Sequence, residues 1–143
     1  MNVKRLGIRA ARDSDVAELF PIVVEFATSF VPDRGSFERA LGRILADQDT
    51  CLLVAELDGR VVGYLLGFDH LTFFANGPVS WVEEIAVASS LRRNGIGRAL
   101  MTRFEQWAVS RGSRLVALAT RRAGDFYTAL GYDESASYFR KIL

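Results

Sequence analysis

The chain is poor in the residues that build metal sites and covalent cross-links. Its 143 residues include one cysteine, Cys51, and one histidine, His70. A lone thiol forms no internal disulfide, and so small a His and Cys set leaves no zinc site, so no metal is expected. Cys51 lies in the apolar run TCLLVAEL and reads as a small buried hydrophobe. His70 follows a strand-like run into LTFF without a partner pattern, and reads as a loop residue rather than a base. Charge of one sign is also missing: 18 Lys and Arg stand against 17 Asp and Glu, a formal charge of +1. That removes the general field that recruits nucleic acid or an acidic membrane. Arg92, Arg93, Arg121 and Arg122 have no aromatic-rich stacking surface beside them, so nucleic acid is not an expected partner. No stretch approaches the roughly 18 apolar residues of a spanning helix, and the opening MNVKRLGIRAA is too charged for a leader. The expected compartment is the cytoplasm, with no membrane partner.

What is present suits one folded unit. Half of the residues are apolar, enough for a core, and 12 glycines and 3 prolines are too few for a disordered or fibrous chain. Neither a repeat nor a low-complexity linker divides the sequence, so residues 1–143 are read as a single domain.

Hydrophobic periodicity gives the order of elements. Leu6 to Ala10 reads as a strand. Val16, Leu19, Phe20, Val23, Val24 and Ala27 then recur at helical spacing, with Pro21 expected to kink or break that helix. A second helix is expected from a Ser36 cap, burying Phe37, Ala40, Leu41, Ile44 and Leu45. Cys51–Leu57 and Arg60–Phe68 read as strands joined at Asp58-Gly59, a strong hairpin signal. LTFFANGP is expected as a loop and Trp81–Val87 as the next strand. Ile96, Leu100, Phe104, Trp107 and Ala108 mark a helix beginning near Gly97 and stopping at Gly112. A buried strand from Arg114, a short helix in AGDFYTAL and a last strand in SASYFRKIL complete the chain. The fold class is therefore α/β, a mixed central sheet flanked by helices.

The stretch SSLRRNGIGRALM joins the Trp81–Val87 strand to the helix near Gly97. The first N–H groups of a helix have no intrahelical partner. Gly95 and Gly97 permit close backbone approach, while Arg92, Arg93 and Arg98 add positive charge, so a pyrophosphate fits this turn. A tight turn with solvated arginines would carry the same residues. The dinucleotide fingerprint is incomplete here, and the Gly-Lys-Ser/Thr of nucleoside triphosphatases is absent.

With that turn in place, the chain resembles the GCN5-related N-acetyltransferases. Their signature, Arg or Gln, two residues, Gly, one residue, then Gly or Ala, stands here as Arg92, Arg93, Asn94, Gly95, Ile96 and Gly97. A second feature is the Phe-Tyr pair of FYTALGY, from Phe126 to Tyr132, in the helix after the next strand. The resemblance spans nearly the whole chain. It implies an acyl-CoA N-acyltransferase fold and acetyl-CoA as cosubstrate, with backbone contacts from Ile85, Ala86 and Val87 to the pantetheine arm. Many members carry Asn three residues before an Ala near the next strand; this chain has Thr120 before Ala123, and Thr120 is the cofactor-side candidate there.

The implied reaction is acetyl transfer to a primary amine of a small molecule or peptide. It needs a neutral amine, a stabilised oxyanion and a proton for the departing thiolate. Tyr127 matches the family's tyrosine near the coenzyme sulfur and is assigned as general acid; as a structural residue it would be a half-buried aromatic with a polar handle. Strand alternation sends Trp81, Glu83 and Ile85 to one side and Val82, Glu84 and Ala86 to the other. The resemblance favours Glu83 as the base, at the position matching the strand-four glutamate that members with such a base often use, with Glu84 taking its place where the bulge common to this strand in the family reverses the parity. Either carboxylate could instead pair with an arginine or attract a cationic amine. Phe30, Phe73, Phe74, Trp81 and Tyr138 are the acceptor-side candidates. Phe73 and Phe74 could equally bury themselves in a subunit contact, and a homodimer is a possible assembly because many relatives form one. A non-catalytic acyl-CoA binding or regulatory domain is the alternative function, since it would keep the pyrophosphate turn and need neither Tyr127 nor a base.

Overall fold

A five-stranded mixed sheet organises the chain. In the computed structural model, which describes residues 5–143, the elements run in the order β1 (Leu6–Ala10), a 3-10 turn (Asp13–Asp15), α1 (Val16–Phe26), α2 (Arg34–Ala46), β2 (Thr50–Leu57), β3 (Arg60–Thr72), β4 (Gly77–Val87), α3 (Ile96–Ser110), β5 (Val116–Leu118) and α4 (Gly124–Ala129). The opening residues 1–4, part of the charged start read above, lie outside the described residues. The strands lie in chain order, β1 to β5; β1 through β4 are antiparallel and β5 joins β4 in parallel.

Helices cover both faces. On one, Leu19 and Ile22 of α1 and Leu41 of α2 pack on Val54, Val61 and Tyr64. On the other, Ile96, Leu100, Met101 and Phe104 of α3 and Tyr127 of α4 pack on Leu53, Ala55, Leu65 and Val82. Burial on both faces explains the unbroken apolar run of β2, where odd positions serve one core and even positions the other. Cys51 sits in the α3-side core, and burial pushes its thiol up to about 11. The β2–β3 hairpin turns at Asp58 (φ 52°) and Gly59 (φ 83°), the pair of left-handed residues a two-residue hairpin requires. Among the described residues, no helix is long and apolar enough to cross a membrane.

Several expectations are corrected. Pro21 does not break α1, which continues through it; Leu19 and Ile22 are both buried, so packing on either side of the proline holds the helix. Val24, expected inside, is exposed at 46%, and Ile22 takes the inner face. The cap of α2 is Asp33, whose Oδ2 accepts from the Ser36 amide at 2.8 Å, and Ala40 of that helix is exposed. His70 and Leu71 are not in a loop, because β3 continues to Thr72 and pairs with a β4 that begins at Gly77. SASYFRKIL forms no strand: Asp133–Leu143 carries no regular structure and is exposed throughout. Its β-type composition finds no partner within the described chain.

Candidate active site

The site begins with an irregularity in β4. Glu84 pairs with Leu66 and Val82 with Gly67, so Glu83 is the extra residue of a β-bulge. The bulge changes the alternation expected from the sequence. Val82 and Ile85 both face the α3-side core, whereas Ala86 packs on the α1–α2 side. Glu84 stands with Ala86 on that side, where its Oε1 accepts from the Tyr64 hydroxyl at 2.7 Å. Glu83 is exposed, and its Oε2 accepts from the Trp81 indole N–H at 2.8 Å. Trp81 alternates with Val82 and so also stands on the α1–α2 side. A regular strand would have sent the two carboxylates to opposite faces; the bulge gives both of them partners on one.

Below the bulge, β4 loses its neighbour. Among the described residues β5 pairs only with Ser80–Val82, so the outer backbone groups of Glu83–Val87 meet no strand there. This gap between β4 and β5 leaves the backbone groups of Ile85 and Val87 facing a ligand with amide and carbonyl groups, with Val87 O also approached by Arg92; Ala86, expected among them, turns its backbone groups to β3, in step with Ala88 N donating to Val62 O.

The gap leads to the start of α3. Gly95 is the N-cap in the left-handed region (φ 78°), and no side chain caps the helix. Arg93 is also left-handed (φ 67°), so the turn preceding the helix is tightly wound. Four orphan N–H donors and the positive end of the helix dipole therefore open to solvent, beside the exposed Arg93 and Arg98. Arg92 is turned back: its Nη2 lies 3.4 Å from Glu25 Oε1 and its Nε donates toward Val87 O. Glu25 also accepts from the Ser89 amide at 3.0 Å, tying the end of α1 to the turn. Asn94 donates from Nδ2 to Leu91 O, making it a brace of the loop in this structure.

α4 closes the same opening. A Cβ added to Gly97 would lie 3.3 Å from Phe126 Cζ, so glycine is what allows this ring to rest on the mouth of α3. The next residue, Tyr127, is buried, in edge contact with Phe126 at 4.9 Å and with Tyr132 at 5.9 Å. Burial raises its phenol above the usual tyrosine value, so it remains protonated at neutral pH. Tyr132 donates to Glu105 Oε2 at 2.5 Å. Thr120 Oγ1 accepts from the Ala123 amide at 3.1 Å and closes the turn into α4.

The acceptor-side candidates divide. Arg140 Nη1 donates to Ser29 Oγ at 2.9 Å, which brings the exposed segment carrying Tyr138 beside the α1–α2 connection carrying Phe30. Phe73 and Phe74 are not brought there. They form the exposed tip of the β3–β4 hairpin, about 20 Å of strand beyond the bulge at ~3.3 Å per residue. Sequence reasoning missed Tyr64 and Glu25. Tyr64 reads as one more apolar residue in RVVGYLLGF, and only the β3–β4 register aims its hydroxyl at Glu84. A cleft of about 460 Å³ between α2 and α3, lined by Cys51, Leu53, Arg103 and Trp107, lies on the β1–β2 side, away from these residues.

Comparison with known proteins places this arrangement in a class. Residues 16–132 match the Acetyltransferase (GNAT) family, and the chain belongs to that family. Acetyl-CoA-dependent acetyl transfer is the activity of the class. Over 122 residues the chain is 29% identical to an aminoglycoside N(6')-acetyltransferase type 1 of Stenotrophomonas maltophilia, spanning 78% of this chain and 80% of that one. Its fold matches that of glucosamine-6-phosphate N-acetyltransferase from Arabidopsis thaliana with a TM-score of 0.86 at 19% identity, covering 96% and 98% of the two chains. It matches AAC(6')-Iy, solved with a bisubstrate analogue, with a TM-score of 0.79 at 23% identity, covering 97% and 99%. At these identities the solved structures establish the fold.

Proposed function

We propose that this protein transfers the acetyl group of acetyl-CoA to a primary amine of a small cationic molecule. The observation that carries the cosubstrate is the uncapped, glycine-opened start of α3 at the foot of the β4–β5 gap, with Tyr127 buried beside it. The N–H groups of residues 95–98, with Arg93 and Arg98, hold the pyrophosphate. The outward backbone groups of Ile85 and Val87 receive the pantetheine arm and the thioester oxygen, with Thr120 and Asn94 shaping the two flanking turns.

The acceptor is drawn by the acidic pair. Glu84, held by Tyr64, takes the proton of the ammonium group, and Glu83 adds a second negative charge at the same edge. The freed amine attacks the thioester carbon: a C–N bond forms, the C–S bond breaks, and Tyr127 supplies the proton that the leaving thiolate takes up, while the second proton of the acylated nitrogen leaves through water and restores Tyr127. Phe30, Tyr138 and Trp81 supply apolar walls. Four curated relatives are named as aminoglycoside N(6')-acetyltransferases, which supports a compact, positively charged amine as the substrate class.

Calorimetric titration with acetyl-CoA tests the reading. The wild type is expected to bind at one site per chain, and Gly97→Glu to abolish binding by filling and charging the mouth of α3. Because that side chain also presses on Phe126, a second variant, Arg93→Glu with Arg98→Glu, alters only exposed charge and is expected to weaken binding. A folded wild type that binds no acetyl-CoA overturns the proposal. Binding with no thiol release against a panel of cationic amines makes the protein a non-catalytic acyl-CoA domain instead.

A further inference from the structure

The cleft between α2 and α3 lies at the edge of the sheet opposite the β4–β5 gap, and the strand lengths create it. β1 ends at Ala10, which pairs with Leu53, and the Ala11 amide makes the last bond across, to Leu52 O at 3.0 Å. The chain then leaves for the 3-10 turn at Asp13, so Thr50 and Cys51 at the start of β2 have no β1 residue beside them. α2 and α3, packed on opposite faces, overhang this uncovered edge. The cleft so formed holds about 460 Å³, within the ~300–1,000 Å³ of small-molecule sites.

Its apolar lining is aliphatic, from Ile44 and Leu45 of α2 and Leu53 of β2. Trp107 of α3 offers an edge rather than a face: Phe104, one turn before, stacks on its ring at 5.4 Å, and the Arg111 guanidinium, one turn after, lies 5.2 Å over it. An aromatic guest therefore finds no ring to stack on, whereas an alkyl chain meets matching surface. The polar lining is cationic. Among the described residues that line the cleft none is Asp or Glu, and among the described residues the exposed Arg103 has no ion-pair partner. Asp47 and Asp49, at the entry to β2, are already engaged: Asp47 accepts from the Thr50 hydroxyl and the Asp49 amide, and Asp49 accepts from Arg111. The Arg103 charge is felt inside the cleft, since burial raises the Cys51 thiol and Arg103 acts against that rise. Gln106 and the Trp107 indole bring further N–H donors from the same helix.

We propose that this cleft binds a small aliphatic carboxylate, with its chain against Ile44, Leu45 and Leu53 and its charged head on Arg103. A carboxylate only accepts hydrogen bonds and takes the planar guanidinium fork through both oxygens, which is the acceptor this donor set lacks. The chain supplies the rest of the affinity, about fourfold for each methylene buried. Arg103 and Trp107 stand ~10 and ~16 Å along α3 from its first residue, at ~1.5 Å per residue, so the carboxylate and a ligand at the glycine-opened mouth occupy different parts of the helix. This inference is independent of the catalytic reading above.

Calorimetric titration of the full chain with octanoate, beside octanamide and butanoate, is the test. Octanoate is expected to bind at one site per chain. Octanamide should bind about 10-fold or more weakly for want of the charge, and butanoate about 10-fold or more weakly for want of the chain. Arg103→Gln changes an exposed side chain, so its far-ultraviolet spectrum should match the wild type while its octanoate affinity falls about 10-fold or more and its octanamide affinity stays the same. Nitrogen-15 spectra place the ligand: octanoate should shift the amides of Thr50–Leu53 and Arg103–Ser110 most. A wild type that binds no octanoate overturns the proposal, as does equal binding of octanamide. An Arg103→Gln variant that binds octanoate as the wild type does, or shifts centred on Gly95–Arg98, overturns it too, since the ligand is then held elsewhere.

Discussion

Tyr127, proposed above as the general acid, also serves the fold. Its burial contributes to the α3-side core and also keeps its phenol protonated. Tyr127→Phe retains the ring and removes the proton, so kcat should fall by about 10²-fold or more with the KM for acetyl-CoA little changed, measured by thiol release. In the wild type the rate should hold until pH passes above the usual tyrosine range, and the variant should lack that alkaline fall. Tyr64 acts on a neighbour: Tyr64→Phe removes the hydroxyl that holds the Glu84 carboxylate in place, and should lower kcat with the KM for acetyl-CoA little changed, measured by thiol release. Asp15 concerns stability instead. It is buried and accepts from Nη2 and Nη1 of Arg9 at 2.8 and 2.9 Å, and these bonds lower its pKa below the ordinary 3.8. A depressed carboxylate contributes stability that is present above the unfolded value and lost as pH falls through the folded one. The melting temperature should therefore drop below about pH 4, and Asp15→Asn should be less stable at neutral pH but flatter in this acid range.

At the scale of elements, the informative positions are those where a local rule is broken. Pro21 removes the N–H that would bond to Ala17 O in α1. Restoring it with Pro21→Ala should raise stability by up to about 3 kcal/mol, read from chemical denaturation; no gain would mean that the helix is shaped around the proline. Gly67 sits opposite the bulge, where an added Cβ would overlap the Phe104 ring and approach Trp81 O. Gly67→Ala should cost about 1–3 kcal/mol through overpacking, and loss of the β4 bulge with it should lower activity beyond the stability effect. The hairpin at Asp58-Gly59, the first strand and the helix over α3 were legible, because turn chemistry and a strong period act locally. The cap at Asp33, the continuity of α1 and the length of β3 were not, because in each the deciding partner lies in another element or several residues away.

For the whole molecule, ligand binding and folding are linked. Acetyl-CoA at about 100 times its dissociation constant should stabilise the folded chain by ~2.7 kcal/mol, seen as a raised melting temperature that the Arg93→Glu, Arg98→Glu variant reduces. The sequence by itself determined the mixed α/β class, the position of the glycine-opened turn before α3 and the Phe126-Tyr127 pair, because glycine, arginine and apolar spacing encode a turn and a helix start without reference to distant residues. Only the tertiary structure decided the face on which Glu84 stands, the Tyr64 hydroxyl that holds it and the distance of Phe73 and Phe74 from the site. It also left SASYFRKIL unpaired. Each of these depends on strand register, and register is set by which residues of separate strands meet across the sheet, with a single bulge at Glu83 enough to exchange the faces of all that follows.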